Sequence, residues 1–435
     1  MPAFARPAKQ AGMTKICYHF FMSNFPKNFL WGAATSAHQV EGGNHNDWSE
    51  WELQNTDRLA RESESKFGRF PSWPNIREEA TDPQNYISGI ACDHYHRFRE
   101  DFDIAKQLGH NAHRFSIEWS RIEPEEGKFD EKEIEHYREV IHALRERGME
   151  PFVTLWHWTL PLWMRDKGGI ESKEFSAYFS RYCKKIVSVL KDDVTFWMTI
   201  NEPTSVIGQS YARKEWPPQR GSLIAAFRVY HRLARAHREA YRVIHDVQSN
   251  AQVGFGNVLA FIEPAHAYNP LDLIVVRVAK FWANEYFFSL AGNETSDYIA
   301  LQQYFHNRVA FPWRQKNENK KLSDMGWELY PESLYHLVKE WSTCKKPIYI
   351  TEHGLADTQD ENRAWFLREA LMHVQRAMRE GADVRGYFHW SLLDNFEWDK
   401  GFWPRFGLVE VDYKTLERKI RPSAWEYKKI IDEGL

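Results

Sequence analysis

Eight short apolar runs, each followed after a loop by a stretch of helical periodicity, restrict this chain to very few architectures. The runs cover residues 29–33, 111–115, 151–156, 195–200, 252–257, 298–302, 347–351 and 384–390. Continuous apolar runs of this length suit strands covered on both faces, as parallel strands are. Between them, Ile134, Tyr137, Ile141 and Leu144 recur at steps of three and four and stop at Gly148, and Leu367, Leu371, Val374 and Met378 do the same before Gly381. Glycine at each exit suits a helix C-cap. Residues 175–190 and 227–244 carry a similar apolar face. Eight βα repeats predict an α/β protein built as a single closed (β/α)8 barrel, a design that routinely exceeds 250 residues as one domain. The doubly wound alternative lacks support, because no G-x-G-x-x-G follows any run and no phosphate-binding P-loop string exists.

The barrel domain is expected over residues 24–435. Residues 1–23 read as a loosely ordered extension, in which Met13 and Met22 are alternative starts. Its apolar stretch, residues 16–22, is interrupted by His19 and is too short for a membrane span and too weak for a signal peptide. The segments 41–90, 202–221 and 258–297 are long for βα loops, and such insertions are expected to wall the active face.

A net charge of −3 and the lack of a basic run predict no nucleic-acid partner. Cys17, Cys92, Cys183 and Cys344 are scattered, with no C-x2-C pair, and read as reduced thiols of a cytoplasmic protein. The string Cys92-Asp93-His94-Tyr95-His96 opens a helical run and is not read as a metal site. Aromatic residues make up 15% of the chain, including 19 Trp, whose flat faces suit the C–H side of a sugar ring.

Polar residues stand repeatedly where an apolar run ends, which in a barrel places them at the mouth. Gln39 follows the first run, Arg114 lies in the second, and His157 with Trp158 closes the third. Asn201 and Glu202 close the fourth, Tyr304 follows the sixth, Glu352 closes the seventh and Trp390 the eighth. Two carboxylates brought to one cleft from separate strands can break a glycosidic bond, one protonating the departing oxygen and the other facing the anomeric carbon. Their pKa values must then be split by environment. Arg114 is suited to hold one ionised, Tyr304 to donate to it, and Asn201 to bind the sugar 2-hydroxyl.

The strings Asn28-Phe-Leu-Trp-Gly-Ala-Ala-Thr-Ser-Ala-His-Gln-Val-Glu-Gly42, Arg114-Phe-Ser-Ile-Glu-Trp-Ser-Arg-Ile122, Leu155-Trp-His-Trp-Thr-Leu-Pro161, Thr199-Ile-Asn-Glu-Pro203, Ile350-Thr-Glu-His-Gly354 and Trp390-Ser-Leu-Leu-Asp-Asn-Phe-Glu-Trp398 resemble glycoside hydrolase family 1. The resemblance runs from about residue 24 to 428. It implies a retaining β-glucosidase or β-galactosidase on a (β/α)8 barrel, working without cofactor or metal. It implies Glu202 as acid/base, Glu352 as nucleophile, and Gln39, His157, Trp158, Asn201, Glu397 and Trp398 as the pocket for the terminal sugar. Trp390 is similar to its floor, Phe406 to its outer wall, and Trp327 to a platform for the leaving group.

The expected substrate is a short β-linked saccharide or glycoside carrying terminal glucose, galactose or fucose. Glu397 would repel a 6-phosphate, so unphosphorylated sugars are expected. Transglycosylation through the same glycosyl-enzyme and a non-catalytic sugar-binding protein on a decayed barrel are the alternatives. Departures from the family pattern are His353 after the nucleophile, Gln302 in place of an asparagine, and the loop at 210–218. His353 is expected either to alter the pH profile or to hold a neighbouring loop. Homo-oligomers are common in that family, but no interface is marked in this sequence.

Overall fold

The computed structural model describes residues 25–435; the expected extension over residues 1–23, the starts at Met13 and Met22, and Cys17 lie outside them. Eight strands close a barrel: β1 Leu30–Ala34, β2 Ala112–Ser116, β3 Glu150–Thr154, β4 Phe196–Asn201, β5 Gln252–Val258, β6 Ile299–Gln303, β7 Ile348–His353 and β8 Val384–Trp390. Each pairs in parallel with its sequence neighbours, and β1 closes the ring against β8. Every expected run is a strand, with edges moved by no more than two residues.

The strand interiors are rings and small residues in alternation. Phe152 packs on Phe388 at 5.3 Å and on Tyr298 at 5.4 Å between ring centroids, filling the barrel below the strands' C-terminal ends. A filled interior of this kind confines any cavity to the mouth. Outside, the helices Glu131–Glu146, Phe175–Leu190, Leu223–Val247 and Arg363–Arg379 lay their apolar faces on the sheet, where the predicted periodicities lie. Burying these stripes on the strands' outer faces makes a core between helices and sheet, separate from the ring-filled interior of the barrel.

The three long insertions do different things. Residues 41–90 are mostly helical, with Asp47–Phe67 running six turns from a capping box in which Asn46 and Ser49 each accept from the other's backbone N–H at 2.9 Å. That helix buries Trp48 and Trp51 against Trp398 and the segment 202–221. The third insertion, by contrast, builds the strand Phe261–Pro264 and the helix Pro270–Lys280 beside the barrel and gives the mouth only Val258. The expectation that all three wall the active face therefore holds for two of them.

Candidate active site

At the C-terminal end of the barrel lies a cavity of ≈ 1020 Å³ including its mouth, and both glutamates line it. Glu202 arrives there because β4 ends at Asn201, its backbone N–H bonds Gly256 O at 2.9 Å, and Pro203 then starts a short helix. The turn between puts Glu202 in the left-handed region at φ 39, as it does Trp158 at φ 81 and Trp398 at φ 53. Left-handed backbone is costly for a residue with a side chain, and here it occurs at three residues aimed into one cavity. Glu352 leaves β7 beside Gln302 of β6.

The two carboxylates live in different surroundings. Glu352 Oε1 pairs with the fully buried Arg114 and accepts from Gln302 Nε2 at 2.6 Å, while its Oε2 accepts from Tyr304 OH at 2.7 Å. Arg114 also donates to Thr154 Oγ1 at 3.1 Å, Thr351 O at 3.2 Å and Asn201 Oδ1 at 2.7 Å. The Glu352 carboxylate thus meets three donors, a guanidinium, an amide and a phenol. Among the described residues, the Glu202 carboxyl accepts only from Ser205 Oγ, at 2.7 Å. Burial and the nearby charge of Glu352 push its pKa up to about 8, so its proton is retained at neutral pH.

Asn201 ties the parts together. Its Oδ1 accepts from both Arg114 and Gln302, its Nδ2 lies 3.1 Å from His157 Nε2, and its carbonyl accepts from Trp158 Nε1 at 2.9 Å. Burial and Arg114 hold His157 well below its usual pKa, so the ring is neutral. Its Nδ1 has no partner among the described residues and is free for a hydroxyl. Gln39 Nε2 is fixed by Phe396 O at 2.8 Å and Asn395 Oδ1 at 3.0 Å, and reaches Glu397 Oε2 at 3.4 Å. Burial, reinforced by Asp399 and Glu352, pushes Glu397 up to about 8.

Gln39, His157, Trp158, Trp390, Glu397, Trp398 and Phe406 all line the cavity, as does Trp327, which packs 6.1 Å from Phe406 and 5.8 Å from Tyr304. Arg114 and Asn201 lie buried behind the wall. Sequence reasoning missed Phe67, Phe70, Ser205, Gln209, Arg213 and Trp216, which also line it. Trp216 joins Trp48, Trp158 and Trp398 in one cluster and donates from Nε1 to Asp399 Oδ1 at 2.8 Å.

Of the departures, Gln302 takes a supporting part, donating to both Glu352 and Asn201. His353 points out of the barrel, where it stacks on Phe366 at 4.9 Å and meets Tyr387 OH at 2.7 Å through Nδ1. Burial pushes it down to about 3, so it stays neutral, and the expected influence on the pH profile has no physical route. Cys92 donates to Asp394 O, His94 pairs with Asp101 and His96 with Asp93, so the three side chains do not converge.

Residues 21–312 and 293–434 match the model of the family described as Glycosyl hydrolase family 1. Beta-glucosidase A of Thermotoga maritima is 31% identical, with 94% of this chain and 98% of that protein covered. A beta-galactosidase of Sulfolobus acidocaldarius is 29% identical over 94% of this chain and 95% of its own length. The solved beta-glycosidase from Pyrococcus horikoshii superposes with a TM-score of 0.82 at 35% identity, covering 94% of this chain and 95% of that one.

Proposed function

The chain belongs to Glycosyl hydrolase family 1, and from that premise we propose how its residues carry out retaining hydrolysis of a terminal β-glucosyl or β-galactosyl unit. The activity is that of an exo-acting O-glycosyl hydrolase. The observation that carries the assignment of roles is the unequal support of two carboxylates in one cavity: three donors on Glu352 and a single hydroxyl on Glu202.

Glu352 is the nucleophile. It attacks the anomeric carbon while Glu202, still protonated, gives its proton to the departing oxygen. Glu202, then anionic, takes a proton from water as that water attacks the glycosyl-enzyme, returning the β configuration. Arg114, Gln302 and Tyr304 hold the nucleophile in place between the two displacements. Asn201 receives the sugar 2-hydroxyl, and Gln39, His157 and Glu397 grip the hydroxyls farther from the anomeric carbon. Trp390 is the floor, Trp158, Trp398 and Phe406 the wall, and Trp327 the platform for the leaving group. Glu397 and Asp399 line the pocket, and the cation beside them, Lys400, is already paired with Asp399, so the pocket takes unphosphorylated sugars, β-fucosides included, in preference to 6-phospho sugars. The three described cysteines are all unpaired, which supports a cytoplasmic setting.

Incubation with p-nitrophenyl β-glucoside, β-galactoside and β-fucoside, followed by NMR of the first-formed sugar, tests this reading. A β-anomer appearing first is expected; an α-anomer would refute direct displacement. Glu352→Gln should keep the fold and reduce turnover to background.

A further inference from the structure

The helix Pro270–Lys280 is apolar on the side it turns to water as well as on the side it buries. Asp272, Val275 and Val276 are buried, whereas Leu271, Ile274 and Val278, spaced i, i+3 and i+7 on one face, are 49%, 60% and 39% exposed. A surface helix normally keeps its outer face polar. Asp272 faces inward because it anchors the neighbouring hairpin, accepting from Phe311 N–H at 2.9 Å while its other oxygen meets His266 Nδ1 at 2.7 Å. That anchor sets the exposed rings of Phe311 and Trp313 beside the helix. At its other end, exposed Trp282 packs on Tyr286 at 4.7 Å, and Tyr286 stacks 6.3 Å from Phe227. One turn before Phe227, Leu223 and Ile224 are 78% and 75% exposed. Helix, hairpin and helix start thus form one apolar face, of a kind that marks an interaction surface.

This face adjoins the mouth of the cavity. Val258 and Phe305 line the cavity, and the strands Phe261–Pro264 and His306–Ala310 run on from them to the hairpin. At about 3.3 Å per residue the tip stands roughly 20 Å from Phe305. Its charge is one-sided. Glu263 and Glu318 are both taken by Arg308, leaving Arg314, Lys316 and Lys320 exposed with no ion pair among the described residues. Two copies meeting about a twofold axis through this face would set these cations against themselves. Aliphatic and indole side chains rimmed by free cations are instead the composition of a surface that lies in a lipid headgroup layer.

We propose that this face docks on a bilayer containing anionic lipid, holding the cavity mouth at the headgroup level, where membrane-borne β-glycosides present their sugars. The proposal is independent of which carboxylate is the nucleophile. It is tested by floating the full chain with vesicles of phosphatidylcholine alone and of phosphatidylcholine with phosphatidylglycerol. Binding to the anionic vesicles is expected, falling as salt is raised. The Ile274→Asp/Trp313→Asp variant should bind about tenfold less, having lost two large apolar contacts, while hydrolysing soluble p-nitrophenyl β-glucoside at the parent rate. No binding to either vesicle, equal binding to both, or undiminished binding by the variant would overturn it. So would a parent chain that self-associates in solution, is dispersed by the two substitutions and ignores vesicles, since a second copy would then be what covers the face.

Discussion

Glu202 and Glu352 are the same residue type in the same cavity, and their different roles come entirely from their neighbours. The acid must be protonated to work, and its pKa lies at about 8. Activity should therefore fall as pH rises through about 8, and a pH profile of kcat/KM on an unactivated glycoside checks it. Glu202→Gln should lower that rate by about 10²- to 10⁴-fold and abolish the alkaline limb. Gln302→Leu should cut kcat/KM by roughly ten- to a hundredfold, since a hydrogen bond to a charged group is worth about 1.5–3 kcal/mol. Its near-isosteric form tests the lost donor rather than lost volume. Most of these side chains were legible because each stands at the end of an apolar run. Of the two expectations for His353 the structural one fits, since the ring packs on Phe366 and Tyr387, and strand alternation could not have shown it, because the register of β7 shifts between Ile350 and Glu352. His353→Ala should therefore leave the pH profile unchanged and lower the unfolding midpoint, by about 1–3 kcal/mol in stability, for loss of the stack on Phe366 and the bond to Tyr387.

At the scale of elements, the eight strands and the outer helices follow from two periodicities that the chain displays openly. The helix Asp47–Phe67 is harder to read, because its Ser, Asn and charged positions resemble a loop in composition. Its signal is local: Asn46 and Ser49 form the cap, and Trp48, Trp51, Leu59 and Phe67 fall on its buried side. Asn46→Ala should cost about 1 kcal/mol, measurable as a lower denaturant midpoint at constant slope. The lining residues from 205 to 216 were invisible for a different reason. Ile207–Ala212 is a π-helix, whose i→i+5 bonding shifts which residues face the mouth, so no 3.6-residue pattern points to Gln209, and Trp216 stands in the irregular segment that follows.

For the whole molecule, a barrel filled with rings below its mouth leaves one end for chemistry, and the insertions 41–90 and 202–221 close that end into a pocket. Burying several carboxyl groups there has a consequence for stability. The pKa values of Glu202 and Glu397 are raised in the folded chain from an ordinary 4.5 to about 8. A raised folded value contributes stability that is complete below the unfolded pKa and is lost as pH rises through the folded one. Buried neutral histidines such as His157 and His353 pull the other way up to their ordinary 6.5, so the unfolding midpoint should decline between about pH 6.5 and 8, less steeply in Glu397→Gln, as thermal melts across that range would register.

The measurement that reaches the centre of the account is covalent trapping. A 2-deoxy-2-fluoro-β-glucoside with a good leaving group slows release of the glycosyl-enzyme, and digestion with mass mapping then finds the labelled side chain. The account requires a single fluoroglucosyl group on Glu352, and none when the nucleophile is Glu352→Gln. A label on Glu202 or elsewhere, or turnover of the reagent with inversion and no adduct, would contradict it.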